Sequence, residues 1–146
     1  MLSALRVLLG VLGVSAIFIA ASILFLGAEE TARAGEAGFA GLTGWRGPVG
    51  EAWPATMDNE LRFYAALWGA YGVLLIMVST DLAAHIEWPP WLATVLFAGG
   101  VGRAISYVAV GPPHPFFTAL MGIELLLPPV IVLLWQRARR RLSPAP

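Results

Sequence analysis

The sequence predicts an all-α integral membrane protein, a four-helix bundle with both termini in the cytoplasm. Three observations predict it: an apolar composition, four long apolar segments and an uneven distribution of arginine. Hydrophobic residues make up 58% of the 146 residues, and charged residues only 12%. Soluble domains carry roughly a quarter charged residues, and so small a domain has too much surface to hide these side chains from water. We therefore expect a single transmembrane domain over residues 1–146.

Four segments have the length and composition of membrane spans. A transmembrane helix needs about 20 mostly apolar residues to cross roughly 30 Å of hydrocarbon. Four stretches qualify, at about residues 5–27, 61–80, 91–110 and 115–135. The first resembles a signal peptide because Arg6 precedes its apolar run, but that run is longer than the one in a usual signal sequence. We expect it to be retained as a helix.

Arginine placement predicts the orientation, because basic residues near helix ends stay in the cytoplasm. The chain has no Lys, so all nine basic residues are Arg. Five lie beside the two termini: Arg6, Arg137, Arg139, Arg140 and Arg141. The last four belong to a basic tail, residues 136–146. The outer connection, residues 28–60, carries Arg33 and Arg46. Five against two places both termini in the cytoplasm.

The outer connection is long and rich in glycine, and its sequence does not favour a helix strongly. Connections beyond about 12–15 residues are often functional or mobile. The simpler interpretation, which we prefer, is a surface segment whose aromatic side chains rest on lipid headgroups. Those side chains are Phe39, Trp45 and Trp53.

Two ionisable residues, Arg103 and Glu124, fall well inside apolar segments. Each would cost roughly 2–4 kcal/mol or more if it faced lipid alone. The third and fourth segments form an antiparallel hairpin around a Gly-Pro turn. Arg103 lies about 12 Å before this turn and Glu124 about 13–14 Å after it, at 1.5 Å per residue. We therefore predict an intramembrane polar pair at equal depth, joined by two hydrogen bonds.

The surroundings of Arg103 predict that it faces protein. Its side of the helix carries small residues at i−4, i−1 and i+3, namely Gly99, Gly102 and Ser106. Small residues let another backbone approach closely. Lipid-facing positions are expected among Val95, Leu96 and Phe97.

The second segment carries two stripes that favour either helix packing or a ligand cavity. One consists of Arg62 and small residues, the other of aromatic residues. The small residues are Ala66, Gly69 and Gly72. In the functional interpretation, a polar mouth consists of Asp58, Glu60 and Arg62. It would open into a cavity lined by Tyr64, Trp68, Tyr71, Ser106 and Tyr107. Packing is the more common role for such stripes.

No pattern in the sequence indicates a catalytic or metal site. His85 and His114 are expected on opposite membrane faces, and no cluster has the spacing of metal ligands. Phosphate-binding, dinucleotide-binding and serine-nucleophile motifs are absent. Net charge is zero, so no global field attracts nucleic acid. We expect no cofactor, no nucleic-acid partner and no enzymatic activity.

The chain resembles the domain-of-unknown-function 4345 family, small four-helix membrane proteins of bacteria, over nearly its whole length. Four short motifs carry the resemblance by their order and spacing. They are an acidic residue and Arg entering helix two (Glu60, Arg62), a Gly-Arg (Gly102, Arg103), a Gly-Pro turn (Gly111, Pro112) and Glu124. The resemblance implies a multi-pass protein of the bacterial inner membrane and no particular chemistry.

These observations favour a binding or accessory protein that holds a lipid-like molecule or a partner's transmembrane helix. The alternative is a small transporter or channel subunit that uses Glu124 and Arg103. A membrane enzyme acting on lipid or quinone is a third class, but the sequence contains no catalytic constellation for it.

Overall fold

The computed structural model describes residues 2–45 and 55–142, and the side chains of residues 55, 56 and 60 lie outside the description. Within these ranges it contains five helices and no strand. The helices are α1 (Leu2–Leu26), α2 (Ala28–Thr43), α3 (Ala55–Thr80), α4 (Pro89–Val110) and α5 (Pro115–Leu142). All but α2 are long and apolar enough to cross a membrane. The predicted all-α class is confirmed, and so are four helices long and apolar enough to span a membrane.

Helix α2 is a correction to the sequence prediction, because the first part of the outer connection is helical. Its alanines favour a helix, and Arg33 pairs with Glu29 one turn away, with Nη2 2.5 Å from Oε1. The helix ends at Gly44, which is left-handed (φ 72°) and donates its N–H to the Ala40 carbonyl. Such an end is typical of glycine. The predicted roles of Arg46 and Trp53 lie outside the described residues.

All four spans extend beyond the apolar segments from which they were predicted. Helix α1 begins at Leu2, α3 begins at Ala55, α4 begins at Pro89, and α5 continues through Leu142. Proline is well tolerated in the first turn of a helix, and the arginines of the basic tail are good helix formers. A search for apolar runs finds the hydrocarbon-spanning part of a helix and misses its polar ends.

The chain divides into two compact units, of which the first comprises Met1–Leu12 and Leu74–Pro146. In this unit α4 and α5 pack along each other. At Gly100, a Cβ atom would lie 2.9 Å from the Leu125 side chain. The hairpin turn uses Gly111 at φ 112°, and the His114 Nδ1 atom accepts the Phe116 N–H at 3.1 Å. Glycine therefore sets both the turn and the close helix approach.

The connection between α3 and α4 is held by side chains from both ends of this unit. Arg6 donates from Nη2 to the Thr80 carbonyl at 2.6 Å, at the end of α3. Trp135 donates from its indole N–H to the Ile86 carbonyl at 2.6 Å. These two bonds satisfy carbonyl groups that a helix end or turn leaves without a backbone donor.

The second unit, Gly13–Val73, is built on close packing of α1 against α3. At Gly72 a Cβ atom would lie 2.9 Å from the Gly13 carbonyl oxygen, and at Gly69 it would lie 3.2 Å from the Ala20 methyl. The small-residue stripe is thus a packing surface at these two glycines. Its predicted member Ala66 is exposed, and the neighbouring Ala65 is buried instead.

Candidate functional site

Arg103 on α4 and Glu124 on α5 meet in the interior of the hairpin. The Arg103 Nε atom donates to Glu124 Oε2 at 2.8 Å. Glu124 is buried, with 9% of its surface exposed, whereas 39% of the Arg103 side chain is exposed. The contact arises because the two residues stand at similar distances from the Gly111 turn on antiparallel helices. The predicted pairing is therefore present in the structure.

Two glycines on α4 make room for the pair. A Cβ atom at Gly99 would lie 3.7 Å from Glu124 Oε2, so the carboxylate sits against a helix surface with no side chain. At Gly100 the missing Cβ lets Leu125 and the Glu124 backbone approach closely. Because two helix backbones come together here, the short Glu124 side chain reaches the guanidinium.

The guanidinium uses one nitrogen atom in this contact, which corrects the prediction of two hydrogen bonds. In residues 2–45 and 55–142, neither Nη atom of Arg103 has a hydrogen-bond partner. Because no buried side-chain nitrogen of the described residues lacks a hydrogen-bond partner, the two unbonded Nη atoms are accessible at the surface. A guanidinium has five N–H donors, so most of its donor capacity is left unused within the hairpin.

The small residues around Arg103 are exposed, which corrects a second prediction. Gly102 and Ser106 do not pack against protein in the described structure, and a Cβ atom at Gly102 would have no neighbour within 4 Å. Of the expected lipid-facing residues, Leu96 is buried. The exposed, narrow side of α4 beside Arg103 is here named the small-residue flank. Its members are Ala98, Gly99, Gly102 and Ser106.

The five residues of the predicted cavity lining belong to two different units: Tyr64, Trp68 and Tyr71 to Gly13–Val73, and Ser106 and Tyr107 to the unit that contains Leu74–Pro146. Tyr64 is 59% exposed, and Ser106 and Tyr107 are exposed as well. Trp68 stacks on the buried Tyr71, with ring centroids 5.0 Å apart. This stacking stabilises α3 locally.

Asp58 and Arg62, two residues of the predicted polar mouth, bind the corner between α1 and α2. This pair is named the clasp. Arg62 donates from Nε to Asp58 Oδ2 at 2.7 Å, and from Nη1 to the Leu24 carbonyl at 2.5 Å. Asp58 Oδ1 accepts the N–H of Ala28, the first residue of α2, at 3.4 Å. The pair thus provides hydrogen-bond partners for the end of α1 and the beginning of α2. The Glu60 side chain lies outside the description.

Gly27 is the residue of this corner that the sequence prediction missed. Its backbone has φ 98° and ψ 157°, a conformation essentially restricted to glycine. A Cβ atom there would also lie 3.2 Å from Arg62 Nη2. The available signals were a glycine at the end of an apolar run and Asp and Arg at i, i+4 spacing, which favours an ion pair on a helix.

The two histidines act locally. His114 caps the start of α5, and His85 Nδ1 lies 2.9 Å from the Asp81 carbonyl. Among the residues that the structure describes, no three His, Asp or Glu side chains gather in a way that could hold a metal ion. The candidate site can therefore donate hydrogen bonds from Arg103 beside a buried carboxylate.

Comparison with protein families matches residues 4–135 to one described as a domain of unknown function (DUF4345). The chain belongs to this family. No match is found among curated proteins or among solved structures. Membership in DUF4345 assigns no activity, so the functional proposal is argued from the geometry around Arg103.

Proposed function

We propose that this DUF4345 chain is a non-catalytic accessory subunit of the bacterial inner membrane that binds a transmembrane helix of a partner protein. The partner helix would lie along the small-residue flank of α4 and offer a hydrogen-bond acceptor to Arg103. One observation carries the proposal: both Nη atoms of Arg103 lack a partner among the described residues and face outward.

The depth of Arg103 favours a protein partner over a lipid headgroup. Arg103 precedes the end of α4 at Val110 by seven residues, or about 10 Å along the axis. That position is well inside a hydrocarbon layer roughly 30 Å thick. N–H groups at such depth are costly without an acceptor. Ordinary phospholipid headgroups lie too far out to supply one, whereas a side chain or an exposed carbonyl of a neighbouring helix lies at the right level.

The small-residue flank favours close helix approach. Transmembrane helices associate through surfaces of Gly, Ala and Ser, where backbones come close enough for van der Waals contact and hydrogen bonding. Gly102 and Ser106 are spaced by one turn on this flank and are exposed. On another side of α4, bulky residues such as Ile105 and Val108 are exposed. This asymmetry supports one preferred side for a partner helix.

A lipid-like ligand is the second candidate. An amphiphile whose carbonyl or other acceptor group reaches this depth would satisfy the same guanidinium donors. A transporter function gains less support, since the Glu124 carboxylate is buried and bonded to Arg103. A proton or cation site needs that carboxylate to be accessible during the cycle.

The test uses the absence of cysteine from the chain. Ser106→Cys places one thiol on the small-residue flank, and Ile105→Cys is the matched control at nearly the same depth, roughly 100° around the helix. Each variant is labelled with a maleimide–benzophenone in native membranes and irradiated. The proposal expects a discrete protein adduct from Ser106→Cys, absent from Ile105→Cys and weakened by the added change Arg103→Gln.

Three results separate the candidates. Equal protein adducts from both positions would contradict a specific helix-binding side. Lipid adducts alone from Ser106→Cys would contradict the partner helix and support the lipid-like ligand. An adduct that is indifferent to Arg103→Gln, in protein shown to be folded by its thermal transition, would remove Arg103 from the binding surface.

A further inference from the structure

We infer that the last two turns of α5 form a docking surface for anionic phospholipid headgroups, built by Arg137, Arg140 and Arg141. This surface is named the arginine face. It is independent of the small-residue flank, because it lies at the other end of the hairpin and uses different residues. Its argument rests on the length of α5, the partners of its arginines and their spacing.

Helix α5 is longer than the hydrocarbon layer. Its 28 residues span about 42 Å at 1.5 Å per residue, against roughly 30 Å of hydrocarbon. The apolar part ends near Trp135, whose indole N–H is bonded to the Ile86 carbonyl. Tryptophan is enriched at membrane interfaces. The turns that follow Trp135 therefore extend into the headgroup region as a continuing helix.

The four arginines of this segment differ in their partners. Arg139 pairs with Glu87, with Nη2 3.3 Å from Oε1, and its guanidinium lies 5.4 Å from the Trp135 ring centroid. Arg137, Arg140 and Arg141 are exposed and have no hydrogen bond or ion pair with any residue in the described ranges. One arginine thus serves the protein, and three are available to a ligand.

Helical spacing gathers the three available arginines on one side. Positions i, i+3 and i+4 share a face of a helix, whereas Arg139 points away from that face. Ala138, the residue between Arg137 and Arg139, is fully buried and marks the side that packs on the protein. The arginine face consequently looks outward at the level of the headgroups.

The chemistry of this face matches a phosphodiester with net negative charge. Guanidinium groups bind phosphate oxygens through paired N–H donors, and anionic leaflets attract basic residues next to a transmembrane helix. Zwitterionic lipids carry a balancing cation that three adjacent arginines repel. If these arginines only set the topology, their number alone would matter. Arg139 would then contribute as much as each of the other three.

The experiment compares a triple variant with a single one in the full chain. In the triple variant, Arg137→Gln, Arg140→Gln and Arg141→Gln remove the arginine face; the control is Arg139→Gln. Dissociation constants for phosphatidylglycerol and phosphatidylcholine are measured by native mass spectrometry of detergent-solubilised protein. At about 1 kcal/mol per arginine, the preference of the wild type for phosphatidylglycerol should fall by on the order of 100-fold in the triple variant. Arg139→Gln should keep it.

A charge-conserving variant and a competition with inorganic phosphate complete the experiment. A triple Arg→Lys variant keeps the charge and should keep most of the preference, which protects the test if the glutamine variant folds poorly. Inorganic phosphate should not displace bound phosphatidylglycerol, because the headgroup is presented from a lipid and not from solution. Equal loss in Arg139→Gln and the triple glutamine variant, or an unchanged preference in the triple variant, would overturn the inference.

Discussion

The guanidinium of Arg103 has its Nε atom inside the hairpin and its two Nη atoms at the surface. Its Nε atom binds the buried Glu124 carboxylate, and its Nη atoms face outward. In an apolar medium, a buried charge that loses its partner is strongly destabilising, whereas a paired charge is tolerated. The pair therefore has two separable roles: it neutralises Glu124, and it presents donors at the protein surface.

A double-mutant cycle measures the first role. Arg103→Leu leaves the Glu124 carboxylate without its cation, and Glu124→Gln leaves the guanidinium without an anion, so each single change should lower the free energy of unfolding. The double variant should be less destabilised than the sum, with a coupling energy of about 0.5–3 kcal/mol. Unfolding in mixed detergent micelles provides the four stabilities. Additive effects would mean that the contact at 2.8 Å contributes nothing to stability.

At the scale of elements, Gly27 determines how α1 gives way to α2. The chain leaves one helix and enters the next within a single residue, so a positive φ is needed and helix-end groups must find partners. Arg62 and Asp58, both on α3, provide those partners at Leu24 and Ala28. These contacts of the clasp explain why Asp58 and Arg62 stand at the entry to an apolar helix.

Replacing Gly27 tests this corner. Gly27→Ala should destabilise the protein by about 1–3 kcal/mol, because alanine does not readily adopt this backbone conformation. Gly38→Ala, within α2, is the matched control: a Cβ atom there meets nothing within 4 Å. Alanine is the better helix former by about 1 kcal/mol, so the control should be neutral or stabilising. The measurement is the thermal unfolding transition in detergent, and equal effects at both glycines would contradict the strained corner.

For the whole molecule, an even number of helices able to cross a membrane predicts that both termini lie on the same side of it. The distribution of arginine then predicts that this side is the cytoplasm. Several of those arginines also have structural partners: Arg6 binds the end of α3, and Arg139 binds Glu87. The same arginine side chains thus contribute to the predicted orientation and to packing.

Single-cysteine labelling tests the orientation in a chain that has no cysteine of its own. Thr43→Cys, at the exposed end of α2, should react with a membrane-impermeant maleimide in intact spheroplasts. Leu142→Cys, at the exposed end of α5, should react only after lysis. Labelling of Leu142→Cys in intact spheroplasts would contradict the predicted orientation, and the cysteine-free wild type reports background in both conditions.

The sequence was sufficient for the four spans and for the pairing of Arg103 with Glu124. Spans follow from composition and length, because a bilayer imposes one thickness on every helix that crosses it. The pairing followed from the fixed rise of a helix on either side of a turn. Helix α2 was not predicted, because helices outside the hydrocarbon layer depend on weak propensities and on end contacts such as those at Gly27 and Gly44.

Only the tertiary structure decided which way each residue faces. Gly99, Gly100 and Gly102 are equivalent in composition, yet one lies against the Glu124 carboxylate, one against Leu125 and one is open. The two arginines Arg137 and Arg139 are equally charged, and only one has an anionic partner. The physical reason is that an apolar pattern in a membrane helix looks much the same whether a side meets lipid or protein. Sequence therefore determines depth in the membrane, whereas helix rotation and contact come from packing.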